Sequence, residues 1–379
     1  MLEMLHLFSR SEGRSYHERL SAWRTEVATH LRHLSGPEAL VLALWTFGMV
    51  LAGSRGRTAV GTVLAAGLGD QENTLRQRLR EFCYGAADKQ GAQRRELAVE
   101  TCFAPLLGWV LARWDGQQLA LALDATSLGE RFVVLAVRVV YRGCAIPVAW
   151  VVLPGTTPRA WRREWLRLVR RLGPAVPADW IVIVLADRRL YARWLYRRIV
   201  RLTWHLFLRV NSGGTFRPTG HARYAPLLSF AAAGGTGQAT GTAFPGPDWR
   251  LTCTLLVRWA DGCADPWLIL TDLPPDDADP CWYGMRAWIE RGFKLTKRAG
   301  WRWQATRITD PDRAARLWLA VAVATLWLVS IGGEADAALP PGTIVAMPRY
   351  SPPHPPRQPP PHRQHLSPWL CPLARRPAQ

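Results

Sequence analysis

Apolar and polar positions change their period near residue 118 of this 379-residue chain. Before that point the spacing is helical, with apolar residues recurring every three or four positions. One helix is expected over 15–34. A second covers 38–51, after Gly36-Pro37, where proline suits a first helical turn. Two shorter helices follow across a glycine turn at Gly67 to Gly69, the second starting at Glu72 and rich in arginine. A longer helix is predicted near 92–114. From Gln118 onward the apolar runs are short and rich in β-branched residues, which reads as strands. Runs over 118–123, 131–140 and 145–153, joined by short turns, predict an antiparallel meander. A helix over 161–172 is closed by Pro174 and Pro177. The run 180–186 is fully apolar, as in a buried parallel strand. A helix over 188–200 and a fifth strand over 205–210 complete the order β-β-β-α-β-α-β.

The next stretch, 212–280, is glycine-rich, with strands expected only at 250–259 and 266–273. A helix is predicted over 281–298 and another from Pro311 to about Ile331. The apolar part of that last helix, 317–331, is short for a membrane span, and Asp310, Asp312, Arg313 and Arg316 lead into it. It reads as a buried helix. The final 40 residues hold 13 prolines and no acids, as an extended or disordered segment does. The chain thus divides into 1–115 (helical), 116–211 and 281–335 (an α/β core), 212–280 (a β-rich insertion) and 336–379 (a Pro-rich tail).

Charge narrows the function. The 48 basic residues outnumber the 29 acidic ones, for a formal net charge of +19. Such an excess calls for a polyanionic partner, most commonly nucleic acid. The helix pair around Gly67 to Gly69 resembles a helix-turn-helix, which places Arg76, Arg78 and Arg80 as candidate DNA contacts. A plain helical hairpin with solvated charges has the same pattern. The seven cysteines show no zinc-type spacing and no pairing pattern, as in a reducing compartment. No secretory signal is visible in residues 1–24, so a cytoplasmic location is expected.

The chemistry concentrates in residues 281–298. Tyr283, Arg286, Glu290 and Lys297 stand at helical angles of about 0°, 300°, 340° and 320°, one stripe roughly 60° wide. Met285, Ile289 and Phe293 form an apolar stripe beside it. Only three lysines occur in the chain, and Lys294 and Lys297 lie here. An amphipathic surface helix with an Arg286–Glu290 ion pair at i, i+4 has the same pattern.

The spacing Tyr283-x2-Arg286-x3-Glu290-x6-Lys297 matches the signature of bacterial insertion-sequence transposases of the family numbered four, and the chain resembles that family. The resemblance implies an Asp-Asp-Glu transposase with a ribonuclease H-like core: a mixed five-stranded sheet with flanking helices, a β-rich insertion and an N-terminal helical DNA-binding domain. Asp124 and Asp187 each follow an apolar run of strand type and would be the two aspartates, with Glu290 third. Parallel neighbours present such groups at their carboxyl ends. Three carboxylates suit Mg²⁺, with Mn²⁺ as a substitute, and two ions serve phosphoryl transfer. By resemblance, Tyr283, Arg286 and Lys297 contact DNA phosphates. The implied partners are double-stranded DNA, as terminal inverted repeats and target, and a second copy of the chain in a paired-end complex. No membrane is involved. Arg188 and Arg189 follow Asp187 where many relatives carry a nearby glycine, and the Pro-rich tail has no counterpart in the family pattern. Another ribonuclease H-like nuclease, or a catalytically inactive DNA-binding relative, stands as the alternative.

Overall fold

In the computed structural model, residues 15–89, 94–114, 116–158, 161–260 and 262–337 are described, the side chains at 299 and 333–337 excepted. Of the Pro-rich tail expected over 336–379, residues 338–379 lie outside the described residues, and 336–337 end the last helix. Four helices open the fold: α1 Tyr16–His30, α2 Gly36–Ala52, α3 Arg57–Leu68 and α4 Glu72–Phe82. The first two begin at Ser-x-x-Glu capping boxes. Ser15 pairs reciprocally with Glu18, and Ser35 with Glu38, which satisfies amide groups that a helix start leaves without partners. Gly53 and Gly69 end α2 and α3 in the left-handed region, at φ of 58° and 73°. The helix expected over 92–114 is much shorter. Only α5, Phe103–Leu111, forms, behind a 3₁₀ turn at Val99–Cys102. Pro105 explains the limit, because its ring clashes with the carbonyl four residues earlier and so bars α-helix upstream.

The sheet has ten strands: β1 Gln118–Leu128, β2 Phe132–Tyr141, β3 Cys144–Pro154, β4 Ile181–Ala186, β5 His205–Arg209, β6 Thr215–Pro218, β7 Ala225–Pro226, β8 Thr236–Ala243, β9 Leu251–Arg258 and β10 Trp267–Thr271. Their spatial order is β3-β2-β1-β4-β5-β10-β9-β8-β6-β7. The first five follow the predicted meander and crossovers, with β4 parallel to both β1 and β5. The stretch 212–280 corrects the expectation of an interruption. Its strand β10 pairs antiparallel with β5, and β9 with β10, so it continues the same sheet. Strand β8 was not foreseen. Its Thr-Gly-Gln-Ala-Thr-Gly sequence lacks an apolar alternation, and it forms because β9 supplies the whole ladder.

Helices α6 Arg162–Leu172 and α7 Arg193–Val200 make the crossovers. A 3₁₀ turn at Arg188–Leu190 replaces the start expected for α7. Helix α8, Ala287–Lys294, lies against β1, β2 and β3. Helix α9, Pro311–Ala337, packs on β3 on one side and α2 on the other. Among the described residues it is long and apolar enough to cross a membrane, yet most of it is buried inside the fold. Trp327 of α9 stacks on Trp23 of α1 at 3.8 Å. Trp150 Nε1 of β3 donates to the carbonyl of Ala315 at 3.0 Å. Through α9, the buried residues of the N-terminal helices and of the sheet form one continuous core.

Candidate active site

The register of the β1–β4 pair sets the site. Its last parallel partners are Leu123 and Ala186. Asp124 and Asp187 are the next residues on each chain, so they stand side by side where that ladder ends. Strand β1 itself does not end there. Asp124 still pairs with Ala136, and β1 runs on to Leu128 because β2 keeps supplying partners. The expected strand end at Asp124 is therefore an end of pairing with β4 only.

Backbone amides orient both aspartates. Asp124 Oδ1 accepts from the amide of Ala125 at 2.8 Å, and Asp187 Oδ1 from that of Arg189 at 2.6 Å. The second contact caps the 3₁₀ turn, which is how Arg188 and Arg189 are accommodated without a glycine. The Oδ2 atoms of both aspartates accept from one nitrogen, Arg286 Nη2, at 3.2 Å each. Arg286 Nη1 donates to Glu290 Oε1 at 2.9 Å. The i, i+4 ion pair anticipated on the helix is thus one arm of a larger arrangement, in which one guanidinium holds three carboxylates.

Burial shapes the charges. It raises Asp124 above the ordinary aspartate value, while Arg286 and the Ala125 amide oppose the rise and Asp187 and Glu290 add to it. For Arg286, burial works against the charge, but Tyr283, Asp124, Asp187 and Glu290 together outweigh it and hold the group above its ordinary value. The arginine side chain is 13% exposed and Glu290 is 61% exposed. The cluster is open to solvent from the helix side.

The motif segment is not one regular helix. A 3₁₀ stretch over Pro280–Arg286 leads into α8, and a π turn over Leu295–Ala299 follows. A 3₁₀ stretch has three residues per turn, so Tyr283 stands on the same face as Arg286. It is 4% exposed and meets Trp267 edge-on at 5.4 Å. Lys297, on the wider π turn, is half-buried. Burial and Arg298 hold its ammonium below the ordinary lysine value, and Asp124 opposes them. Ile289 and Phe293 are buried as expected, and Met285 is partly so.

Sequence reasoning missed Arg138, whose side chain is fully buried behind α8. Its Nη1 donates to the Ala145 carbonyl and its Nη2 to Thr296 Oγ1, both at 3.3 Å. Its guanidinium lies 4.3 Å from the centre of the Phe293 ring. Burial lowers its pKa, and Asp124 opposes the shift. A lone arginine in the apolar run Phe132–Tyr141 was the available signal. Gly292 allows the close approach, since a Cβ there would fall 2.9 Å from both Arg138 Nη1 and Ala145 Cβ.

The N-terminal candidates stand elsewhere. Arg76, Arg78 and Arg80 are all exposed on α4. Arg76 and Arg80 are one turn apart on one face and line a cleft, and Arg78 does not. Arg76 pairs with Glu72 at 3.6 Å, and Arg80 hydrogen-bonds Tyr84.

Three carboxylates with no soft ligand are the donor set of a hard divalent cation. Their chemistry fits Mg²⁺. The space between them, however, is filled by the Arg286 guanidinium. Among the described residues, no group of three or more His, Cys, Asp or Glu side chains lies close enough to hold an ion as the side chains stand.

No protein-family model matches the sequence, and no curated protein matches it. Among solved structures, the fold is similar to that of piggyBac transposase in a synaptic complex with hairpin DNA. The TM-score is 0.42 and the identity 11%, over 88% of this chain and 76% of that one.

Proposed function

We propose that this chain is a DNA transposase of an insertion sequence. It cuts the element ends and joins them to target DNA by metal-assisted phosphoryl transfer, with Asp124, Asp187 and Glu290 as its catalytic carboxylates. One observation carries the reading: carboxylates far apart in sequence, in the order Asp, Asp, Glu, meet on the arginine of the Tyr-x2-Arg-x3-Glu-x6-Lys motif.

Divalent ions, when bound, activate the attacking oxygen and stabilise the leaving one. Asp124 and Asp187 would hold them through Oδ2, because each Oδ1 is already engaged by a backbone amide. Glu290 would close the set from α8. Arg286 supplies the positive charge that keeps three carboxylates together in the metal-free protein. Once released, it would reach a DNA phosphate with a charge-assisted hydrogen bond. Lys297 would add a second phosphate contact further along the same segment. Tyr283, buried beside Arg286 and against Trp267, would steady that guanidinium from within the motif. A transposase acts on two DNA ends, so the active form is a homodimer on paired inverted repeats.

The test is cleavage of end DNA with Mg²⁺ or Mn²⁺. Asp124→Ala, Asp187→Ala and Glu290→Ala each abolish it while DNA binding persists. Undiminished cleavage by any of the three removes that residue from the site. A second reading, a DNA-binding relative without catalysis, is favoured by the guanidinium that fills the cluster. Absence of cleavage by the parent under both ions, with binding intact, would select it.

A further inference from the structure

A cluster of arginines lies apart from the carboxylates. A cleft of about 630 Å³ opens between the N-terminal helices and the segment that leads into α9. Its walls carry Arg55 from the α2–α3 turn, Arg57 from the start of α3, Arg76 and Arg80 from α4, Arg307 from the segment before α9 and Arg313 from the first turn of α9. Asp310 is the acid among the lining residues, and its carboxylate already accepts from the Arg313 amide at 2.7 Å. Arg76 pairs with Glu72 at 3.6 Å and Arg313 with Asp88 at 3.0 Å. Among the described residues, no carboxylate forms an ion pair with Arg55, Arg57, Arg80 or Arg307.

We propose that this cleft holds the phosphate backbone of duplex DNA, and that it joins the N-terminal helices and the α9 approach into one composite contact. The inference rests on the reading of DNA as substrate and extends it from Arg76 and Arg80 to Arg55, Arg57, Arg307 and Arg313, which no motif marks. Four uncompensated guanidiniums exceed what one phosphate ion, with a charge of about −1.5 to −2, can offset. A strand carrying several phosphates matches them. Holding a cation in this cleft is already costly without a ligand. Burial, then Arg57 and Arg302, bring Arg55 down to about 10. Arg55 Nη2 also donates to the Arg302 carbonyl at 3.1 Å, which ties the α2–α3 turn to the segment before α9. Arg80 and Arg313 both lie over the Tyr84 ring, at 5.4 and 4.4 Å, so their positions are fixed by a shared partner.

The experiment is fluorescence anisotropy of the full chain with a labelled duplex of about 20 base pairs, in EDTA, across a salt series. Each lost phosphate contact lowers the salt slope by about 0.9. The double variant Arg57→Gln, Arg307→Gln is therefore expected to lose about two from the slope and at least tenfold in affinity. Arg57→Lys with Arg307→Lys keeps the charges and retains the slope. The double variant Arg24→Gln, Arg32→Gln removes the same charge from α1 and the residues after it, outside the cleft, and keeps the parental slope. An unchanged slope and affinity in the cleft glutamine variant, or an equal loss in the α1 variant, overturns the cleft. Inorganic phosphate is the second arm. At matched ionic strength it should displace DNA no better than chloride. Stronger displacement would make this a small-anion site and overturn the assignment to DNA. If the parent itself fails to bind the duplex, the transposase reading falls as well. If the parent binds and only the cleft variants behave like it, the cleft alone is lost.

Discussion

Arg286 touches Asp124, Asp187 and Glu290 through two nitrogens and is only 13% exposed. Removing it leaves carboxylates facing one another without a counter-charge. A hydrogen bond to a charged group contributes about 1.5–3 kcal/mol, and like charges at this spacing repel. Arg286→Ala is therefore expected to lower the melting temperature in EDTA by a few degrees. The same change empties the centre of the donor set. Added Mn²⁺ should then raise the melting temperature of the variant more than that of the parent. Thermal scans with and without the ion check both effects. An equal response in the two proteins would mean that the guanidinium does not compete for the carboxylates.

At the scale of elements, the site depends on how closely α8 sits on the sheet. Gly292 meets Ala145 on β3 and Arg138 on β2, and Ala145 has no rotamer with which to yield. Gly292→Leu overpacks that contact and is expected to cost about 1–3 kcal/mol, read as a lower urea midpoint. Because α8 carries Glu290 one turn beyond Arg286, the displaced helix should also lose end cleavage. A Gly292→Leu variant with parental stability would show that α8 packs more loosely than the contact distances imply. The neighbouring 3₁₀ and π turns show the same dependence. Thr296 donates to the Gly292 carbonyl at 2.9 Å and accepts from Arg138, and the backbone widens around it.

For the whole molecule, α9 is the joint. Trp327 stacks on Trp23 at 3.8 Å and lies near Phe47 at 5.9 Å, so an α9 side chain fills the space between α1 and α2. Trp327→Ala leaves a large cavity there, with an expected cost of about 3–5 kcal/mol. Since one core runs through both layers, helices and sheet should unfold together. Far-ultraviolet circular dichroism and tryptophan fluorescence are expected to give coincident transitions in urea. Separate transitions would show that residues 15–114 fold as an independent unit.

Local pattern determined much of this protein. The capping serines at 15 and 35, the glycine ends at 53 and 69, the five core strands and the buried character of α9 all follow from spacing and side-chain type over a few residues, where backbone preference and burial act. Asp124 and Asp187 were visible as carboxylates after apolar runs, but their grouping with Glu290 came from the resemblance carried by the Tyr-x2-Arg-x3-Glu-x6-Lys spacing. Tertiary structure decided the rest. Tyr283 is buried because Trp267 of β10 packs against its ring, a neighbour that no period in the sequence encodes. β8 formed on a partner's ladder rather than on its own propensity. Arg138 is tolerated in the core because Phe293, Thr296 and the Ala145 carbonyl surround it, and those groups come from other elements. The meeting of three carboxylates on one guanidinium, and of six arginines in one cleft, depends on chain segments more than a hundred residues apart. Charge couples through space, and only the fold sets which charges are neighbours.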